Sequence, residues 1–234
     1  MSSIKISLLV PSRQRPNQLK RFYDSAMATA DNPEEIEVVT YIDNDDGHYD
    51  DLELPRLTKL RGERIVLSQM WNECWKAAQG EVYGHMGDDI IFRTQGWDTA
   101  IKDAINQYED KIVFAFGNDG SPGGEMRTFG THGFVHRNWT DTLGRFVPPY
   151  FSSDYNDTWF NDVAKMIGRH CYVNIYTEHM HYSMGKAEID DNTRERLARH
   201  ASDNVEHIYE SKKPEREQDA EKLKKFIEGH QNGS

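Results

Sequence analysis

Cysteine is almost missing from this chain of 234 residues, with Cys74 and Cys171 the only two. That excludes a disulfide framework and a zinc cluster, and it suits a reducing cytosol where both thiols serve as buried small hydrophobes. Also missing is any apolar run near the ~20 residues of a membrane span. The first apolar stretch, Ile4 to Val10, stops at Pro11, too short and wrongly flanked for a signal peptide. The expectation is a soluble, cytoplasmic protein made without an anchor. Positive charge is in deficit: 28 Lys and Arg stand against 39 Asp and Glu, and the net charge of -11 repels nucleic-acid phosphates. Generic DNA or RNA binding is disfavoured, which leaves Arg137, Arg145 and Arg169 as candidates for a local basic groove. No internal repeat or low-complexity tract interrupts the chain.

What is present alternates. The near-continuous apolar run from Ile4 to Val10 reads as a strand buried on both faces, and Leu19, Phe22, Tyr23 and Ala26 fall on one stripe of a following helix. Glu37 to Ile42 is a second strand and Arg64 to Leu67 a third, followed by a helix from about Ser68 closed by Gly80. Glu81 to Met86 has strand character, resumed by Ile90 to Phe92. A helix over Trp97 to Tyr108, strands over Lys111 to Phe116 and Phe129 to Val135, a helix over Tyr155 to Ile167 and a strand over Cys171 to Tyr176 complete the pattern. Gly117 to Gly124 is turn-rich and suits a mobile active-site loop. From about Lys186 the chain is highly charged, with breaks at Asp191-Asn192 and Ser211 to Pro214 between two polar helices. The fold class is therefore α/β with a mostly parallel central sheet flanked by helices, in a domain over 1–185 and a charged helical extension over 186–234.

Chemistry concentrates at Met86-Gly87-Asp88-Asp89-Ile90, where two adjacent carboxylates stand just as an apolar strand gives out. Hard oxygen ligands at such a point suit Mg²⁺ or Mn²⁺ and the phosphates of an activated substrate. Arg13 and Arg15 flank Gln14 in the loop Pro11 to Pro16, placing two guanidiniums at a strand end where a diphosphate would bind. The acidic stretch Asp43-Asn44-Asp45-Asp46-Gly47 looks like a calcium loop, but Gly47 comes one place too early and Leu54 stands where the bidentate acid belongs.

The order of these parts, from Ile4 to Tyr182, resembles the inverting, metal-dependent GT-A-fold glycosyltransferases of family 2. The resemblance implies that Pro11, Ser12, Arg13 and Arg15 belong to the donor loop, that Asp43 contacts the nucleotide base, and that Asn72 stands near the donor. The family's Asp-x-Asp metal motif corresponds to Gly87-Asp88-Asp89, with its first acid replaced. Asp89 is then the direct ligand of Mn²⁺ or Mg²⁺, Asp88 faces ribose or a metal-bound water, and His179 or His181 supplies a last ligand. In the family the base lies beyond the metal motif at a helix start, near a tryptophan. Phe151 to Trp159 provides Asp154 as first choice and Asp157 as second. Trp97, Trp139, Trp159 and Tyr150 are either sugar-stacking faces or core.

These expectations describe a hexosyl- or pentosyltransferase that moves a sugar from a nucleotide-diphosphate donor, a UDP-sugar, to a hydroxyl. The acceptor stands open between a glycan, a protein and a hydroxymethylated DNA base, because the short anchorless core is similar to glycosyltransferases encoded by bacteriophages. The extension either covers the acceptor side or forms a homodimer contact. A sugar nucleotidyltransferase would want glycine in the first loop, and Pro11 to Pro16 has none. A non-catalytic binding protein that keeps the fold is the remaining alternative, suggested by Gly87.

Overall fold

The computed structural model describes residues 5–231; Ile4, expected in the first strand, and residues 232–234 of the expected extension lie outside the described residues. Among the described residues eight strands form one sheet: β1 (Ile6–Leu9), β2 (Ile36–Asp43), β3 (Leu57–Gly62), β4 (Val82–His85), β5 (Ile90–Phe92), β6 (Phe114–Asn118), β7 (Gly133–His136) and β8 (His170–His179). Their order is β3-β2-β1-β4-β7-β6-β8-β5. Pairing is parallel between β1 and β2, β1 and β4, β2 and β3, and β6 and β8, and antiparallel in the other three pairs. The helices are α1 (Pro16–Thr29), α2 (Leu67–Ala77), α3 (Trp97–Asn106), the single turn α4 (Pro122–Glu125), α5 (Arg137–Leu143), α6 (Asn156–Met166), α7 (Asp191–Asp203), α8 (Val205–Ser211) and α9 (Lys213–Gln231). This is the expected α/β class, a mostly parallel sheet flanked by helices.

Strand periodicity sorts the core into two layers. Ile6 and Leu8 face one cluster, with Leu19 and Phe22 of α1 and Trp97 and Ile101 of α3, while Leu9 faces another with Trp71, Trp159, Leu223 and Ile227. Phe22 is wholly buried. Burial of such a ring contributes about 1.5–3 kcal/mol, and its loss to alanine costs about 3–5 kcal/mol once the cavity is counted.

Beyond the unexpected helix α5, four departures from expectation bear on the site. The third strand is Leu57–Gly62, not Arg64 to Leu67, which leads without strand pairing into α2. Lys59 and Arg61 hid it, and their charges suit a sheet edge: Lys59 Nζ donates to the carbonyls of Tyr49 at 3.1 Å and Leu52 at 2.9 Å. Second, β4 and β5 are not one interrupted strand. β4 lies in the sheet interior between β1 and β7, whereas β5 pairs with β8 at the far edge, so the acid pair sits on the crossing between them. Third, β7 starts only at Gly133, which leaves Thr131 and His132 in the preceding loop. Fourth, the charged extension holds three helices rather than two, because Asn204 takes a left-handed conformation (φ 47°) between α7 and α8. Asp190 caps α7, accepting the Thr193 N–H at 2.8 Å, so Asp191-Asn192 opens a helix instead of breaking one. Cys74 is buried and Cys171 only partly so, and both are free. Among the described residues no helix is long and apolar enough to cross a membrane.

Candidate active site

Parallel pairing of β1 with both β2 and β4 brings three loops to the same sheet edge: Leu9 lies beside Val39 on one flank and His85 on the other. The loops leaving these strands converge there, as at the carboxyl ends of other open α/β sheets. They line one cavity of about 1410 Å³, closed on its other sides by Asp154 and Asp157, by 179–184 and by α7.

On the side of the Pro11 to Pro16 loop, Ser12 Oγ donates to Asp88 Oδ2 at 2.6 Å and Arg15 Nη1 reaches Asp88 Oδ1 at 3.4 Å. Burial pushes the Asp88 carboxyl up, against the pull of Arg15. Arg13 Nη1 donates to Asp43 Oδ2 at 2.7 Å, and the other carboxylate oxygen of Asp43 is buried without a partner among the described residues. Burial raises the Asp43 carboxyl despite Arg13 and Arg64. Pro11 lines the same wall.

Beside this wall, Asp89, His132 and His179 each offer one ligand atom, all within 4.8 Å of one another. His179 Nε2 lies 3.3 Å from Asp89 Oδ2, and its Nδ1 lies 3.7 Å from Asp119 Oδ2. Burial disfavours the charged imidazole, but its contacts with Asp119 and Asp89 raise His179 to about 9. Asp89 is held low because His179 outweighs the effect of its own burial. His132 Nδ1 and Asp119 Oδ2 are buried with no hydrogen-bond partner among the described residues. Orphaned polar atoms around a carboxylate and two imidazoles fit a divalent cation. Gly87 has a steric reason: a Cβ there would come within 2.7 Å of Asp89 Oδ1 and 3.5 Å of His132 Nε2. The residue missing its acid leaves room for the pair beside it.

The two base candidates differ. Asp154 is 45% exposed and pairs with Arg196 Nη1 at 2.8 Å and His200 Nδ1 at 2.7 Å. It is not a cap, since α6 starts after a left-handed Tyr155 that makes no capping bond. Asp157, in the first turn of α6, opens onto the cavity and accepts from its neighbour Thr158, N–H at 2.8 Å and hydroxyl at 3.4 Å. Burial, then the nearby Asp154, outweighs these bonds and pushes its carboxyl up to about 6.

Asn72 does not line the cavity. Its amide donates to the carbonyls of Ser68 at 3.1 Å and Val147 at 2.9 Å, and its oxygen accepts from the N–H groups of Phe146 and Val147. His181 lies outside the three-residue cluster and bonds Ser183 Oγ at 2.7 Å through Nδ1. Trp97, Trp139 and Trp159 are core, whereas Trp71 lines the cavity. Arg137, Arg145 and Arg169 form no groove here: they bind the Gly80 carbonyl, Asp219 and Asp110. Sequence reasoning missed His132, Arg64 and Arg196. No spacing rule ties a loop histidine to a distant acid; antiparallel pairing of β7 with β4, which sets Gly133 opposite His85, brings His132 there.

No family model matches this sequence, and no curated protein does. Solved structures do match. TarS of S. aureus superposes with a TM-score of 0.56 at 15% identity, over 75% of this chain and 37% of that one. The mannosyltransferase PcManGT from Pyrobaculum calidifontis, in complex with GDP-Man and Mn²⁺, gives 0.55 at 14% identity over 76% of this chain and 57% of its own. TarS 1-349 in complex with UDP-GlcNAc gives 0.54 at 14% identity, over 86% and 66% of the two chains. The chain thus spans well under two thirds of the first two proteins it resembles. At such identity the likeness defines the fold, which is GT-A-like.

Proposed function

We propose that the protein is an inverting glycosyltransferase that moves a sugar from a UDP-sugar to an acceptor hydroxyl. One observation carries the reading: a single cavity collects the arginine loop, Asp43, the strand-end acids with their histidines, and the Asp157 carboxylate with its raised pKa. The fold is that of proteins solved with UDP-GlcNAc and with GDP-Man, which supports a nucleotide-sugar donor. Residues 1–185 would carry the donor site, and 186–234 would wall its open side through α7.

In this reading Asp43 accepts a hydrogen bond from the base while Arg13 and Arg15 hold the diphosphate. Asp89, His132 and His179 would hold a divalent cation. A set with two nitrogens favours Mn²⁺ over Mg²⁺. Bound there, the cation would neutralise charge on the departing diphosphate. Asp157 takes the proton of the acceptor hydroxyl as its oxygen bonds to the anomeric carbon, and the carbon–oxygen bond to the diphosphate breaks with its electron pair on the phosphate. A carboxyl near pH 6 is better matched to that proton transfer than an ion-paired one, which favours Asp157 over Asp154. The acceptor, on a glycan, a protein or a hydroxymethylated DNA base, enters on the Asp157 side.

A melting screen of UDP- and GDP-sugars with Mn²⁺, followed by UDP release with added acceptors, tests the reading. A donor at a hundredfold excess over its dissociation constant should add about 2.7 kcal/mol of stability. No shift with any nucleotide sugar, and no release, would end the proposal.

A further inference from the structure

Tyr49 is wholly buried, yet its hydroxyl lies directly beneath the donor loop. The Arg15 backbone N–H donates to Tyr49 Oη at 2.9 Å, and Ser12 Oγ lies 2.6 Å from Tyr49 Oη and 2.6 Å from Asp88 Oδ2. Counting protons sets the direction. An ionised carboxylate only accepts, so Ser12 spends its one proton on Asp88, and Tyr49 therefore spends its own on Ser12. The chain runs from the Arg15 N–H through Tyr49 and Ser12 to the first acid of the Asp88-Asp89 pair. Burial pushes the Tyr49 phenol above its ordinary range, which keeps it a donor.

The same segment bolts the residues between. The Gln14 N–H donates to Asp46 Oδ2 at 2.6 Å, and Gln14 is left-handed (φ 56°), a conformation a non-glycine residue holds only when its surroundings impose it. Arg13 is gripped by Asp43 at 2.7 Å and Asp45 at 2.8 Å. Each residue from Ser12 to Arg15 is thus fastened to the stretch Asp43 to Tyr49, the one whose acids look like a calcium loop. It meets the donor loop because β1 and β2 are parallel neighbours.

We propose that Tyr49, aided by Asp46, is a positioning residue that presets the Ser12–Arg15 loop to receive the diphosphate of a nucleotide. The inference rests on the glycosyltransferase reading and adds to it the part that organises the phosphate site before a ligand arrives. Ordering the loop in advance removes that cost from binding. A purely structural tyrosine would act through its ring, which phenylalanine keeps.

Calorimetric titration of UDP and of uridine, with Mn²⁺, into wild type and Tyr49→Phe makes the test. The expected result is UDP affinity lower by about 5–30-fold with uridine affinity unchanged, since only UDP carries the phosphates. Equal UDP affinity in the two proteins overturns the proposal, and so does an equal loss for both ligands. Should Tyr49→Phe not fold, Asp46→Asn carries the same comparison, because it weakens the grip on Gln14 without emptying the core. Wild type that binds neither UDP nor GDP would defeat the glycosyltransferase reading first, and this inference with it.

Discussion

Arg15 and Asp190 stand 175 positions apart and meet in a two-point ion pair, Nε to Oδ2 and Nη2 to Oδ1, each at 2.7 Å. A carboxylate from the C-terminal extension thus holds the guanidinium proposed to bind a diphosphate. The two anions compete. Asp190→Asn keeps a capping side chain for α7 but removes the charge, so UDP affinity should rise about two- to fivefold at low salt, with the gain fading as salt is added. Titration at two ionic strengths checks it; weaker UDP binding in the variant would mean that Asp190 aims Arg15 rather than masking it.

Stability should report the strain at Asp157. Its folded carboxyl is raised to about 6 from an ordinary 3.8, so the folded state binds this proton more tightly than the unfolded chain does. That contribution is present below pH 4 and is lost as pH climbs through 6. Asp157→Asn should melt close to wild type at pH 4 and above it at pH 7.5, by a margin on the order of 1–2 kcal/mol. A margin independent of pH would show that the carboxyl titrates normally.

The same variant should lose transfer. A general base contributes about 10²–10⁴ in rate, and the amide cannot take a proton. Donor affinity, measured separately, should hardly change. Asp154→Asn should lose less; the reverse ranking would return the role to Asp154.

His132 is the sharpest test of the cation site, since nothing in the sequence marks it. Asp89→Ala and His132→Ala should each weaken Mn²⁺ by about tenfold or more, against a smaller change for His181→Ala. Competition with a chelator, read by the protein's melting temperature, ranks the three. Equal effects at His132 and His181 would dissolve the cluster.

Asp43 and Asp45 both grip Arg13, but Asp45 is 67% exposed and Asp43 buried. Asp43→Asn should cost UDP binding about 1–3 kcal/mol, and Asp45→Asn less than about 1 kcal/mol. Similar losses in both would make the contact one of general charge.

Much of this was legible in the residue order. The near-continuous apolar run at β1, the strand character of β2 and the apolar stripe of α1 announce a sheet covered on both faces, because burial of those side chains drives the fold locally. The arginine loop, Asp43 and the acid pair sit next to strand ends, and in a parallel sheet strand ends gather, so one side of the cavity could be named in advance. β3 could not, since an edge strand carries charges that read as loop.

What only the tertiary structure decided are the meetings of distant residues. The sequence by itself determined the class of fold and the place of the arginine loop and the acid pair at strand ends. Packing paired Asp154 with Arg196 and His200, set Asp157 on the cavity in the first turn of α6, brought His132 to Asp89, turned Asn72 inward to Val147, and set Asp190 on Arg15. Local propensity acts over a few residues, whereas hydrogen bonding and charge act through space once the sheet order is fixed. A side chain's neighbours across the fold therefore depend on strand order and crossing, which no single segment encodes.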